Sequence, residues 1–137
     1  MTFLLNHLED LATITVTIYH RTDRSKFFET ATTLGRLGDS VEFELAYTYG
    51  SFLAQDNASA DLEKIWRENN LVDGHEVNAL LEKRSLSVGD VIAVGDHNLF
   101  TGENVFEVLG GGFGPVTVSR VKLALILARK AAQTEVK

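Results

Sequence analysis

The sequence predicts an α+β domain: a small, mostly antiparallel sheet of about five strands packed with two or three helices, the last of them C-terminal. Three observations carry this. Residues 11–20 alternate with period two, Ile14, Val16 and Ile18 on one side and Thr13, Thr15, Thr17 and Tyr19 on the other, which is the pattern of a strand with one buried face. Further β-rich runs are separated by Gly, Asp and Asn turns, while helical spacing dominates only in the middle and at the end of the chain. A length of 137 residues with 45% hydrophobic and 23% charged residues fits one domain with one core, and excludes the composition of a disordered chain.

Arg21 to Ser25 reads as a polar loop. Residues 27–34 fit either a short helix, from the spacing of Phe27, Phe28, Ala31 and Leu34, or an irregular strand, because Thr30, Thr32 and Thr33 lower helix propensity. Gly35 to Ser40 marks a turn. Val41, Phe43, Leu45 and Tyr47 then alternate with Glu42, Glu44, Ala46 and Thr48, a half-buried strand with an acidic outer face. Glu42 and Glu44 share that face, which reads as solvated surface rather than a general acid/base pair, since no third polar partner accompanies them.

After a loop over 54–59, Ser59 caps a helix from Ala60 to Asn70 with Leu62, Ile65 and Trp66 as its buried stripe. Trp66, the single tryptophan, reads as core, with a ligand-stacking surface as the alternative. Val72-Asp73-Gly74 turns into a short helix around Glu76–Lys83, with Val77, Leu80 and Leu81 on one face. Ser87-Val88-Gly89-Asp90 is a tight turn feeding a strand from Val91 to Val94, which Gly95-Asp96-His97-Asn98 breaks. Thr101 to Asn104 turns into Val105–Leu109, giving a hairpin with a long tip. Gly110 to Gly114 reads as a glycine-lined bend before a last strand, Val116–Val118; it lacks the Walker spacing and the helix start of a phosphate loop. Ser119 caps the final helix, Arg120–Ala132, whose apolar arc covers more than half its circumference. Such an arc is either sandwiched centrally, the preferred reading, or shared with a second subunit in a homodimer.

Charge divides the chain. Residues 1–118 hold 8 Lys or Arg against 18 Asp or Glu, a charge of −10, whereas residues 119–137 hold 5 against 1, a charge of +4. The acidic body argues against nucleic acid as a partner, because phosphate neutralisation needs clustered cations. Lys122, Arg129 and Lys130 are the candidate interaction residues. Their bland reading is intramolecular: a basic helix docking on an acidic sheet. The absence of cysteine excludes disulfides and thiolate sites, and weakly favours an intracellular setting. The N-terminal residues lack the pattern of a signal peptide. The longest apolar run, Leu123–Ala128, is six residues long, far short of the about 20 a membrane span needs. No catalytic, cofactor or metal motif is present; His97, read as a loop residue, is the best lone candidate for proton transfer.

Residues 60–116 resemble the YodL-like family of phage and mobile-element domains. The resemblance rests on Leu62-Glu63-Lys64-Ile65-Trp66, on Arg84-Ser85-Leu86-Ser87-Val88-Gly89-Asp90-Val91-Ile92, on Val105-Phe106-Glu107-Val108 and on Gly112-Phe113. It implies a mobile-element accessory role in the cytoplasm of a bacterial host and no established reaction. The expected function is therefore noncatalytic binding of a host or phage protein, with no cofactor and no membrane. The alternative is a small-ligand or nucleotide binder, or a hydrolase, whose polar rim would comprise Arg84, Ser85, Ser87 and Asp90 with Gly111 and Gly112. In the structural reading of the same motif, Ser85 and Ser87 bond to nearby backbone, Leu86 and Val88 anchor inward, and Gly89-Asp90 sets the start of the strand.

Overall fold

The structure, a computed structural model, describes residues 13–23, 29–70 and 75–135. Five strands, β1 (Thr13–Arg21), β2 (Phe43–Phe52), β3 (Val91–Asn98), β4 (Glu103–Leu109) and β5 (Gly112–Pro115), form one sheet in the order β2-β1-β3-β4-β5. Every neighbouring pair is antiparallel. Among the described residues four helices accompany it, α1 (Ala31–Arg36), α2 (Ala58–Glu68), α3 (Val77–Leu80) and α4 (Ser119–Glu135), so the α+β class holds.

The single core expected from the composition is in fact two, one on each side of the sheet. Tyr19, Leu34, Phe43, Val105, Val121 and Leu125 pack where α1 and α4 cover one face. Val16, Ile18, Tyr47, Leu62, Ile65 and Ile92 pack under α2 on the other. β1 lies between β2 and β3, so its threonine side is covered as well: Thr17 and Tyr19 are buried alongside Val16 and Ile18. The expectation of one buried face fails because helices cover both sides of a central strand.

β2 departs from simple alternation for a different reason. Tyr19 pairs with Leu45 but Ile18 pairs with Tyr47, so Ala46 is an extra residue, a β-bulge. Phe43 and Leu45 therefore face α4, whereas Tyr47 and Tyr49 face α2. Glu42 and Glu44 are exposed.

Several boundaries move. Residues 31–34 of the ambiguous segment are helical and the helix runs on through Gly35 and Arg36 into the expected turn, with Thr33 N–H donating to the Thr30 cap at 3.0 Å; Phe27 and Phe28 lie outside the described residues. Asn57, not Ser59, caps α2: its Oδ1 accepts from Ala60 N–H at 3.1 Å, while the Asp61 carboxylate accepts from the Ala54 and Gln55 amides at 3.0 and 2.9 Å. α3 is only four residues long and cannot present the expected apolar face, so Leu80 and Leu81 are exposed while Asn78 is buried. β3 runs through Gly95-Asp96-His97-Asn98 rather than stopping there; a register shift and the positive φ of Gly95 absorb the irregularity. Gly110 and Gly111 form the expected bend, but the edge strand β5 already begins at Gly112, and residues 116–118 are not strand.

α4 is not sandwiched. Val121, Leu125 and Ala128 are buried against the sheet side, but Leu123 and Leu127 on the opposite side remain 55% and 56% exposed.

Candidate functional site

The polar residues of the 84–90 turn converge, and they do so on one another. Asp90 has no exposed surface. Its Oδ2 accepts from Arg84 Nη1 at 2.6 Å and from Ser87 N–H at 2.8 Å, and its Oδ1 from Arg84 Nη2 and from the backbone N–H of Arg21, both at 2.8 Å. The same guanidinium donates to the carbonyls of Ser85 at 2.9 Å and Arg21 at 3.2 Å. A bidentate, charge-assisted pair of this kind fastens the turn to β1. Leu86 is buried beside it and Val88 is half-buried. The carboxylate is saturated with donors and shielded from water, so it offers neither a general base nor a ligand for an incoming group. Ser85 is exposed and joins this arrangement through its backbone carbonyl alone.

Gly89 is required twice over. Its φ is +95°, and a Cβ there would lie 2.6 Å from Arg21 Nη1. The Arg21 side chain is itself buried, with Nε donating to Asp23 at 3.1 Å and Nη1 to the Glu29 carbonyl.

Two further polar arrangements went unread in the sequence. Between β2 and α2, the Tyr47 hydroxyl donates to Asn69, whose Nδ2 donates to the Tyr49 hydroxyl at 3.0 Å; Tyr49 and Ser51 both donate to Glu68 at 2.8 Å. Burial first, then the Asp90 charge, pushes the Tyr47 hydroxyl above its ordinary range. Burial and the Glu68 contact do the same to Tyr49, so both phenols stay neutral donors. The bulge concealed this network, because the sequence pattern placed Tyr47 beside Leu45. On the opposite face Glu107, 1% exposed, accepts from Thr32 N–H at 2.9 Å and ties α1 to β4. Burial raises its carboxyl pKa, opposed by hydrogen bonding from Thr32 and by the Arg21 charge. Its only sequence signal was a carboxylate at a buried register of a strand.

His97 lies within β3 rather than in a loop. Its Nδ1 is 3.0 Å from the Gly95 carbonyl, and its buried Nε2 has no hydrogen-bond partner among the described residues. No carboxylate among the described residues hydrogen-bonds to it. Among the described residues no group of three His, Asp or Glu side chains could hold a metal ion, and no helix is long and apolar enough to cross a membrane.

α4 packs on the sheet through its apolar side, and its cations take no part in an ion pair there among the described residues. Arg129 and Lys130 are exposed and Lys122 lies half-buried along the turn at Gly102; none forms an ion pair among the described residues. Lys122 and Arg129 stand on the flank of the helix. Arg120, Leu123, Leu127 and Lys130 instead form its outward ridge, recurring at helical spacing. The turn carrying the exposed Leu37 lies beside Arg120, since a Cβ on Gly38 would be 3.9 Å from Arg120 Nη1.

Gly111 and Gly112 line a separate cleft of about 250 Å³, with Trp66 and Glu63 of α2 on one side and Val88 and Phe113 nearby. Of the 84–90 turn only Val88 reaches it; Arg84, Ser85, Ser87 and Asp90 do not. Trp66 thus packs against the core under α2 and also borders open space. Comparison with known proteins gives no match: no family model, no curated protein and no solved structure matches this chain.

Proposed function

We propose that this chain is a noncatalytic accessory protein of a phage or mobile element that acts by binding a host or phage protein, and that the outward ridge of α4 is its binding surface. The observation that carries this reading is the pair Leu123 and Leu127, one helical turn apart and each more than half exposed, on a helix that buries only Val121, Leu125 and Ala128 of its opposite side. The likeness of Arg84–Ile92 to the YodL-like motif supports the mobile-element setting. The internal pairing of Asp90 with Arg84 supports a binding role over a catalytic one, because it takes the turn's carboxylate away from the surface.

Charge selects the partner. Arg120 and Lys130 stand five residues either side of Leu125, so a two-fold copy of the ridge, packed antiparallel, would set Arg120 against Lys130 of the second molecule at both ends. Like charges at those positions oppose a homodimer through α4. An acidic amphipathic segment of another protein fits instead: its apolar side covers Leu123 and Leu127, and its carboxylates meet the two cations.

The test is affinity capture from host lysate with the native chain and with Leu123→Ser/Leu127→Ser, followed by binding of the purified captured protein. The expected result is an acidic partner retained by the native chain, lost by the variant and weakened by salt. Equal retention by both proteins, or a native mass showing a dimer that the double substitution dissolves, would overturn the proposal.

A further inference from the structure

The cleft between α2 and the β4–β5 hairpin is distinct from the α4 ridge, on the other face of the sheet. Its chemistry is unusually one-sided. Among the described residues that line it, Glu63 is the only charged side chain and none is Lys, Arg or His. Glu63 is exposed, and neither Arg67 at the next turn nor any other described cation pairs with it. Trp66 and Phe113 both border the space and are half-buried, yet no ring contact joins them among the described residues.

The glycines bear on the same space. Gly110, Gly111 and Gly112 have no positive φ, and a Cβ on any of them would meet nothing within 4 Å. Neither the turn's conformation nor internal packing demands glycine at these three positions. What glycine does there is leave bare backbone along the cleft wall, where a flat group can approach closely.

From these observations we infer that the cleft receives the guanidinium of an arginine side chain presented by another polypeptide. A guanidinium is planar, stacks on aromatic faces and pairs bidentately with a carboxylate, which matches Trp66, Phe113 and Glu63. A volume of about 250 Å³ lies below the roughly 300–1,000 Å³ of cavities that take whole drug-sized ligands, which suits one side chain. The same lining repels a nucleotide, since it offers a carboxylate and no cation to a phosphate. This inference is independent of the α4 reading and stands or falls separately.

Trp66 is the single tryptophan, so its fluorescence reports on the cleft directly. The experiment titrates the intact chain with the blocked tripeptide acetyl-Gly-Arg-Gly-amide, with its citrulline counterpart, which keeps the shape and loses the charge, and with ATP. Expected are a saturable change in emission with the arginine peptide, about three- to tenfold weaker binding of the citrulline peptide, and a similar loss for arginine in Glu63→Gln. Gly111→Leu, whose side chain enters open space without backbone strain, should also weaken binding while leaving the fold intact. No saturable change, equal affinity for citrulline, tighter binding of ATP, or indifference to both substitutions would overturn the inference.

Discussion

Four donors meet on the Asp90 carboxylate, two on each oxygen, so an amide in its place sets its own donor against two of them and removes the charge from the other two. Asp90→Asn is expected to lower stability by about 3 kcal/mol, and Arg84→Ala by somewhat less because that side chain is partly exposed. Urea denaturation midpoints measure both. An Arg84→Ala protein as stable as the native one would show that the staple is unimportant and return Arg84 to the ligand rim. Tyr19 is the opposite case: its buried hydroxyl has no hydrogen-bond partner among the described residues, and burial, partly offset by Arg129, raises its pKa. Tyr19→Phe removes a desolvated polar group that gains nothing there, so its stability should equal or exceed that of the native chain in the same denaturation experiment. A marked loss would mean that the hydroxyl is bonded to water.

Glu107 holds α1 to the sheet through a carboxylate whose pKa is raised above 4.5. A raised carboxyl binds its proton more tightly in the folded state than in the unfolded chain, so stability falls as pH rises from about 4.5 through the folded pKa and stays lower above it. Glu107→Gln should lack this decline, visible as a flatter denaturation midpoint between pH 4.5 and 8; parallel curves for the two proteins would exclude it. How far each element could be read from sequence follows from whether its signals were local. β1, α2, β4 and the long α4 were legible in periodicity, and the turn at Gly89-Asp90 in its residue types. β5 was not, because a strand of Gly-Phe-Gly-Pro has almost no strand propensity and exists through pairing with β4. α3 was overread, since three apolar residues at helical spacing say nothing about whether another layer covers them. Of the candidate site, Arg84, Ser87 and Asp90 stood out as polar residues close together along the chain, but nothing local showed that they also bond to the backbone of Arg21, 63 residues from Arg84. The cleft at Trp66 needed two elements brought together by the fold.

The whole molecule keeps an acidic body and a basic terminal helix without ion pairs between them among the described residues. Complementarity therefore remains available to partners, with opposite sign at the α4 ridge and at the Glu63 cleft. The double substitution Leu123→Ser/Leu127→Ser should change stability by less than about 1 kcal/mol, since both side chains are largely exposed, and thermal denaturation checks that any loss of binding is not a loss of fold. The bulge at Ala46 has a consequence at this scale too. One inserted residue makes a single strand a seam: its first half belongs to the α4 layer and its second half to the α2 layer. Deleting Ala46 would leave every residue type along β2 in place yet exchange the layers into which half of them project, directing Tyr47, Tyr49 and Ser51 away from Asn69 and Glu68. The two layers are thus stitched together by one strand, whose single extra residue sets which side chains each layer receives.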